Sequence, residues 1–158
     1  QEILELGCGW GSLSLYLASE WGAVFVSHNM GESWQLVESG YDGSFFGLVV
    51  NSNSGGVYAH GLLGTIYRSA DQGETWEELD SGVSASLFGA DFEDGSIIFV
   101  GQGGTATLTR DDGKTFVPLI QLQRDGLFGV TAYKGGKFMA TGQGGSRAIS
   151  ESAQEAVQ

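Results

Sequence analysis

The side chains best suited to chemistry are few. Arg68, Arg110, Arg124 and Arg147 are the arginines of the chain, and a cluster of arginines is what grips a substrate carboxylate. Arg68 and Arg147 fall on the third strand of their repeats, and with Arg110 they are candidates for a small positive, partner-binding patch on an acidic body. Isolated arginines paired with nearby glutamates or solvated are the commoner arrangement. His28 and His60 have no cysteine or carboxylate at metal-ligand spacing, which suits structural roles. Asp111-Asp112 lies in a turn but lacks carboxylates at the first, third, fifth and twelfth positions of a calcium loop. One cysteine, Cys8, excludes an internal disulfide. No residue receives a catalytic or metal-ligating role, and no cofactor is expected.

These groups must sit on something. The 158 residues include 27 glycines and one proline, a composition that suits an all-β chain with many tight turns. The apolar share of 41% is enough to bury one core. Nineteen acidic against seven basic residues give a net charge of -12, which disfavours nucleic-acid backbones. No apolar run approaches the roughly 20 residues of a membrane-spanning helix.

Repeats organise most of the sequence. Ser27-His28-Asn29-Met30-Gly31-Glu32-Ser33-Trp34, Ser69-Ala70-Asp71-Gln72-Gly73-Glu74-Thr75-Trp76 and Thr109-Arg110-Asp111-Asp112-Gly113-Lys114-Thr115-Phe116 share one pattern. They begin at residues 27, 69 and 109, so they recur every 40–42 residues, the period of propeller blades. Phe45-Phe46-Gly47, Leu87-Phe88-Gly89 and Leu127-Phe128-Gly129 keep the same beat, as do Gly61-Leu62-Leu63-Gly64, Gly101-Gln102-Gly103-Gly104 and Gly142-Gln143-Gly144-Gly145. The third unit predicts strands over Leu87–Phe92, Ser96–Gly101, Thr105–Thr109 and Phe116–Ile120, a four-stranded antiparallel blade. In each box the Asn29, Asp71 or Asp111 side chain is expected to accept hydrogen bonds from its own turn. Ser27, Ser69 and Thr109 bridge the turn. Gly31, Gly73 and Gly113 allow its backbone, and Trp34, Trp76 and Phe116 pack into the core. These boxes read as structural staples.

The stretch GLLGTIYRSADQGETWEELDSGVSASLFG, Gly61 to Gly89, resembles the BNR/Asp-box propellers. Within them it is similar to the photosystem II stability/assembly factor-like group, over Gly22 to about Ser152. The resemblance implies a scaffold that binds other proteins, and an exported or periplasmic location. Asn29 and Phe116 depart from the box pattern, and Glu151 to Gln158 lacks a fourth box. Three to four blades are therefore expected over residues 22–158, an incomplete ring closed by a longer chain or by further copies in a homo-oligomer. Asp-boxes also occur in sialidases, but the arginines do not form the expected catalytic set.

Residues 1–21 read differently. Glu5, Gly7, Gly9 and Gly11 resemble motif I of class I S-adenosylmethionine-dependent methyltransferases, which implies a strand, a glycine loop against the methionine moiety and a helix. That helix is predicted over Ser12 to Glu20, with Leu13, Tyr16 and Leu17 on one face. The remaining strands of such an enzyme are absent, so this short β/α-like segment is a stub packed on the propeller edge, and the chain reads as a natural or engineered chimera. The leading expectation is a non-enzymatic propeller scaffold; the alternatives are a methyltransferase-derived fusion or a glycosidase-like Asp-box enzyme.

Overall fold

The computed structural model describes residues 14–119, 123–133 and 135–149, and the backbone of 3–8. Its fifteen strands form four antiparallel sheets in strict sequence order. The first holds β1 (Ile3–Cys8), β2 (Leu15–Ser19), β3 (Ala23–Ser27) and β4 (Gln35–Glu38). The second holds β5 (Phe45–Val50), β6 (Val57–Gly61), β7 (Ile66–Ser69) and β8 (Glu77–Leu79). The third holds β9 (Leu87–Glu93), β10 (Ser96–Gly101), β11 (Ala106–Thr109) and β12 (Val117–Leu119). The fourth holds β13 (Leu127–Tyr133), β14 (Lys137–Gly142) and β15 (Gly145–Ile149). The chain is built of propeller blades.

The inner strands β1, β5, β9 and β13 lie side by side, and the apolar faces of adjacent blades meet in three seams. Tyr16, Val24, Val26, Phe45, Leu48 and Tyr67 fill the first. Tyr58, Ile66, Leu87, Ile97 and Phe99 fill the second, and Ile98, Leu108, Leu127, Phe138 and Ile149 the third. A strand between two others in the middle of a blade faces a seam on both sides. That is why β10 reads as the unbroken apolar run Ile97-Ile98-Phe99-Val100 and is buried throughout.

One expectation is corrected. The helix predicted over Ser12 to Glu20 is not formed at Leu15–Ser19, which is strand β2, paired antiparallel with β1 and β3. Leu15-Tyr16-Leu17-Ala18 satisfies both a helical and an alternating pattern. Tyr16 and Ala18 are buried while Leu15 and Leu17 are only half-buried, the period of two that a pleated strand requires. Glu5 and Gly7 lie in β1, opposite Ala18 and Tyr16; Gly9 and Gly11 lie outside the described residues. The first two strands thus complete the sheet that carries the first box.

Each inner strand has a register shift at the same point, between Ile3 and Glu5, Phe45 and Gly47, Leu87 and Gly89, and Leu127 and Gly129. The residue skipped is Leu4, Phe46, Phe88 or Phe128. A bulge bends the strand and re-aims one side chain. The glycines of the other short repeat answer to crowding. Gly101 has ordinary extended backbone, φ -169°, but a Cβ there would lie 1.9 Å from the Ser86 carbonyl oxygen. Gly61 and Gly142 are pressed in the same way against Ser44 and Gly126. Gly101→Ala is therefore expected to destabilise the chain by about 1–3 kcal/mol through overpacking, measured by urea unfolding.

The fourth blade departs in register. Thr141 pairs with Ser146, whereas Val100 at the matching place pairs with Ala106. The hairpin is tightened to the two residues Gln143-Gly144, and Arg147 moves to the face that looks toward Gln123. A one-residue slip exchanges the two faces of a strand, and here it turns Arg147 onto the face it shares with Ala140 and Ile149 of the third seam, where its guanidinium is bonded to Gln123.

Candidate functional site

The two ends of the blades carry different chemistry. At one end lie the three box turns. Asn29 Oδ1 accepts from Ser27 Oγ at 2.9 Å and from the Ser33 amide at 2.9 Å. Asp71 Oδ1 accepts from Ser69 Oγ at 2.8 Å and the Thr75 amide at 2.9 Å. Asp111 Oδ1 does the same with Thr109 Oγ1 at 3.0 Å and the Thr115 amide at 2.9 Å. The Ser27, Ser69 and Thr109 hydroxyls accept from the Gly31, Gly73 and Gly113 amides. The Thr75 hydroxyl and amide, with Ser69, hold the Asp71 carboxyl down at about 2. Thr115 acts similarly on Asp111.

The two departures from the pattern have local reasons. Asn29 cannot accept at both side-chain atoms, so its Nδ2 donates to Ser33 Oγ at 2.8 Å, reversing the bond that Thr75 and Thr115 donate to a carboxylate. Trp76 packs on the first seam and donates Nε1–H to the Gly73 carbonyl at 3.1 Å. Phe116 has no donor but packs on the second seam beside Phe99. Trp34, whose blade has no described predecessor, is 38% exposed.

A network missed by sequence reasoning ties the third box to the second blade. Asp112, at the position of Met30 and Gln72, accepts from Asn51 Nδ2 at 2.8 Å, Ser54 Oγ at 2.7 Å and Tyr58 Oη at 2.7 Å. It also pairs with Arg68 Nη2. Burial works against the Asp112 charge, but the Tyr58, Ser54 and Arg68 donors hold its carboxyl below the ordinary range. Arg68 further donates Nε–H to Tyr58 at 3.2 Å and Nη1–H to Glu77 at 3.3 Å, leaving its side chain 18% exposed. The cross-strand pair Tyr58–Arg68 was the available clue; its acceptor is 44 residues from Arg68.

The arginines do not converge. Arg68 is committed to Asp112 and Glu77 at the box end, where exposed Arg110 lines a shallow depression with Glu93 and Asp94. Arg147 lies toward the other end, donating to Gln123 Oε1 and to the Gln123 and Asp125 carbonyls. His28 sits between Ser14 and Glu74. His60 is buried in the second seam, its Nδ1 3.0 Å from the Leu87 carbonyl oxygen and its ring edge-on to Phe99. Among the described residues, no three His, Cys, Asp or Glu side chains are placed to hold a metal.

The opposite end is an apolar rim. The bulged phenylalanines form a row across three blades, with Phe46–Phe88 centroids 5.5 Å apart and Phe88–Phe128 5.8 Å apart; Phe128 is 54% exposed. The loops between second and third strands rise beside this row. Their tips are Trp21 (φ 59°), Leu63 (φ 55°) and Gly103 (φ 65°). Trp21 and Leu63 are 74% and 76% exposed. At the foot of Leu63 lies an open pocket of about 400 Å³, floored by Gly64, Leu79 and Val83 and flanked by Glu78 and Asp80.

Fold and turns together define a set of Asp-box β-propeller blades. A profile of the BNR/Asp-box repeat matches residues 67–78, the heart of the second box. Among solved structures, the chain is similar to YCF48 bound to D1 peptide, with a TM-score of 0.70 and 18% identity over 89% of this chain and 46% of that one. It is similar to YCF48 from Cyanidioschyzon merolae at 0.69 and 13%, covering 89% and 50%. An ancestral GH74 enzyme aligns at 0.75 and 15%, covering 94% of this chain and 22% of that one. The chain thus spans about half the length of the YCF48 structures. No curated protein matches it.

Proposed function

We propose that the chain is a non-enzymatic propeller module that holds segments of other proteins against its apolar rim. The observation that carries this reading is the row Phe46–Phe88–Phe128 with Trp21 and Leu63 beside it. Phe128, Trp21 and Leu63 are exposed while Phe46 and Phe88 are half-buried, and large apolar side chains left in water on one face mark an interaction surface. The polar groups at the other end are bonded to one another, which suits staples better than a reaction centre. YCF48 with its D1 peptide is a propeller of this shape that carries a peptide. In this reading residues 1–21 serve the first blade, and ring closure comes from further blades, in a longer chain or a second copy, seated on the side of Trp34.

Panning a phage-displayed peptide library on the intact chain tests the proposal. Enriched peptides that lose binding with Phe128→Ser are expected, and no enrichment over the blank would overturn it. Calorimetric titration with S-adenosylmethionine is expected to give no binding heat. Micromolar binding would instead favour the methyltransferase-derived alternative.

A further inference from the structure

The rim is not apolar alone, and its charge narrows what it can hold. The sequence has no Lys or Arg before Arg68, and Arg68 is committed at the box end. Across the first two blades the rim therefore presents acids without cations: exposed Glu20, Asp42, Glu78 and Asp80. Trp21 and Leu63 stand among them in left-handed backbone, where the third blade has Gly103. A large side chain in that conformation costs folding energy, and exposure in water returns none of it. Two such residues at one repeat position point to a use outside the fold. The Leu63 amide donates to Ser86 Oγ, two residues before Phe88, so the loop tip is fastened beside the phenylalanine row.

Resting on the binding-module reading, we propose that the rim of the first two blades docks a cationic amphipathic peptide segment, in which large apolar residues are interspersed with Lys or Arg. An apolar side chain enters the pocket at the foot of Leu63 and contacts Leu79 and Val83. The flanking cations reach Glu78 and Asp80, their aliphatic stems lying over Leu63 and the phenylalanine row. Opposite charge steers such a segment to this face. An acidic segment meets only like charge over the first two blades.

The test is fluorescence anisotropy with three labelled 12-residue peptides, alternating Leu–Lys, Ser–Lys and Leu–Glu. Leu–Lys is expected to bind, more weakly as salt rises, and the other two at least about 10-fold more weakly. Leu63→Gly and Asp80→Asn are each expected to weaken Leu–Lys at least about 5-fold. Leu63→Gly places at this tip the residue its repeat partner Gly103 already has, so folding is retained, and Asp80→Asn keeps the oxygen that accepts the Gly82 amide. Met30→Gly, which removes an exposed residue of φ 61° from the box end, is expected to change nothing. Equal binding of Ser–Lys or Leu–Glu, an equal loss with Met30→Gly, or no binding of Leu–Lys would overturn the proposal. Self-association of the chain abolished by Leu63→Gly would also overturn it, by giving the face to a second copy. If panning enriches peptides of other composition, this inference falls while the module reading stands; if panning enriches none, both fall.

Discussion

Asp112→Asn is expected to lower stability by about 2–3 kcal/mol, a fall in Tm of roughly 4–12 °C for a chain of this size. The carboxylate receives three neutral donors and a guanidinium from the second blade while its backbone belongs to the third. Asparagine tolerates the left-handed backbone that Asp112 adopts at φ 62°, so the turn itself is not strained. What is lost is the charge. Arg68, with its side chain 18% exposed, would face an amide in place of a carboxylate and keep only the exposed Glu77 as counter-charge, and a largely buried cation that loses its closer partner is the costly outcome. The neighbouring Asp111→Asn supplies the contrast. Asn29 already performs that role in the first box, so its effect is expected to stay below about 1 kcal/mol. Chemical unfolding of the two variants side by side separates the inter-blade latch from the turn.

The second large effect is a dependence on pH centred on His60. Burial of the ring, opposed in part by its bond to the Leu87 carbonyl, lowers its pKa from 6.5 to about 4. The folded chain holds it neutral, facing that carbonyl and the Phe99 ring. Between about pH 4 and 6.5 the unfolded chain takes up a proton that the folded chain refuses. Stability is therefore complete above about 6.5 and falls as pH drops through that window, by about 3 kcal/mol at its lower edge. His60→Val, with the residue that Val100 provides at the matching place, is expected to flatten this slope in urea titrations from pH 7 to 4. Asp71, at about 2, contributes in a separate window. Its folded pKa is depressed, so its contribution is present above its ordinary 3.8 and is lost as pH falls toward 2.

The blades were legible because they repeat. The box, the Phe-Gly pair and the glycine-flanked loop recur together, and in the third unit strand Ser96–Gly101 stands as expected while the others shift by a residue or two. Residues 15–18 were not legible: four apolar residues in a row fit either period. Only pairing with β1 and β3 decides between them. The Asp112 latch was hidden for another reason. Its partners lie 44 to 61 residues away, and an aspartate in a turn looks the same whether it faces water or a neighbouring blade. The rim was half visible. Phe46, Phe88 and Phe128 recur as a repeat marker, but their stacking depends on a bulge that only strand register reveals.

Hydrogen exchange on the intact chain, with and without the Leu–Lys peptide, tests the central claim that this propeller binds through its apolar rim. Slowed exchange is expected at the loop tips 20–22 and 62–64 and at the bulged segments 45–47 and 87–89, with the box turns 28–33, 70–75 and 110–115 unchanged. Protection confined to the box turns, or none anywhere, would contradict it.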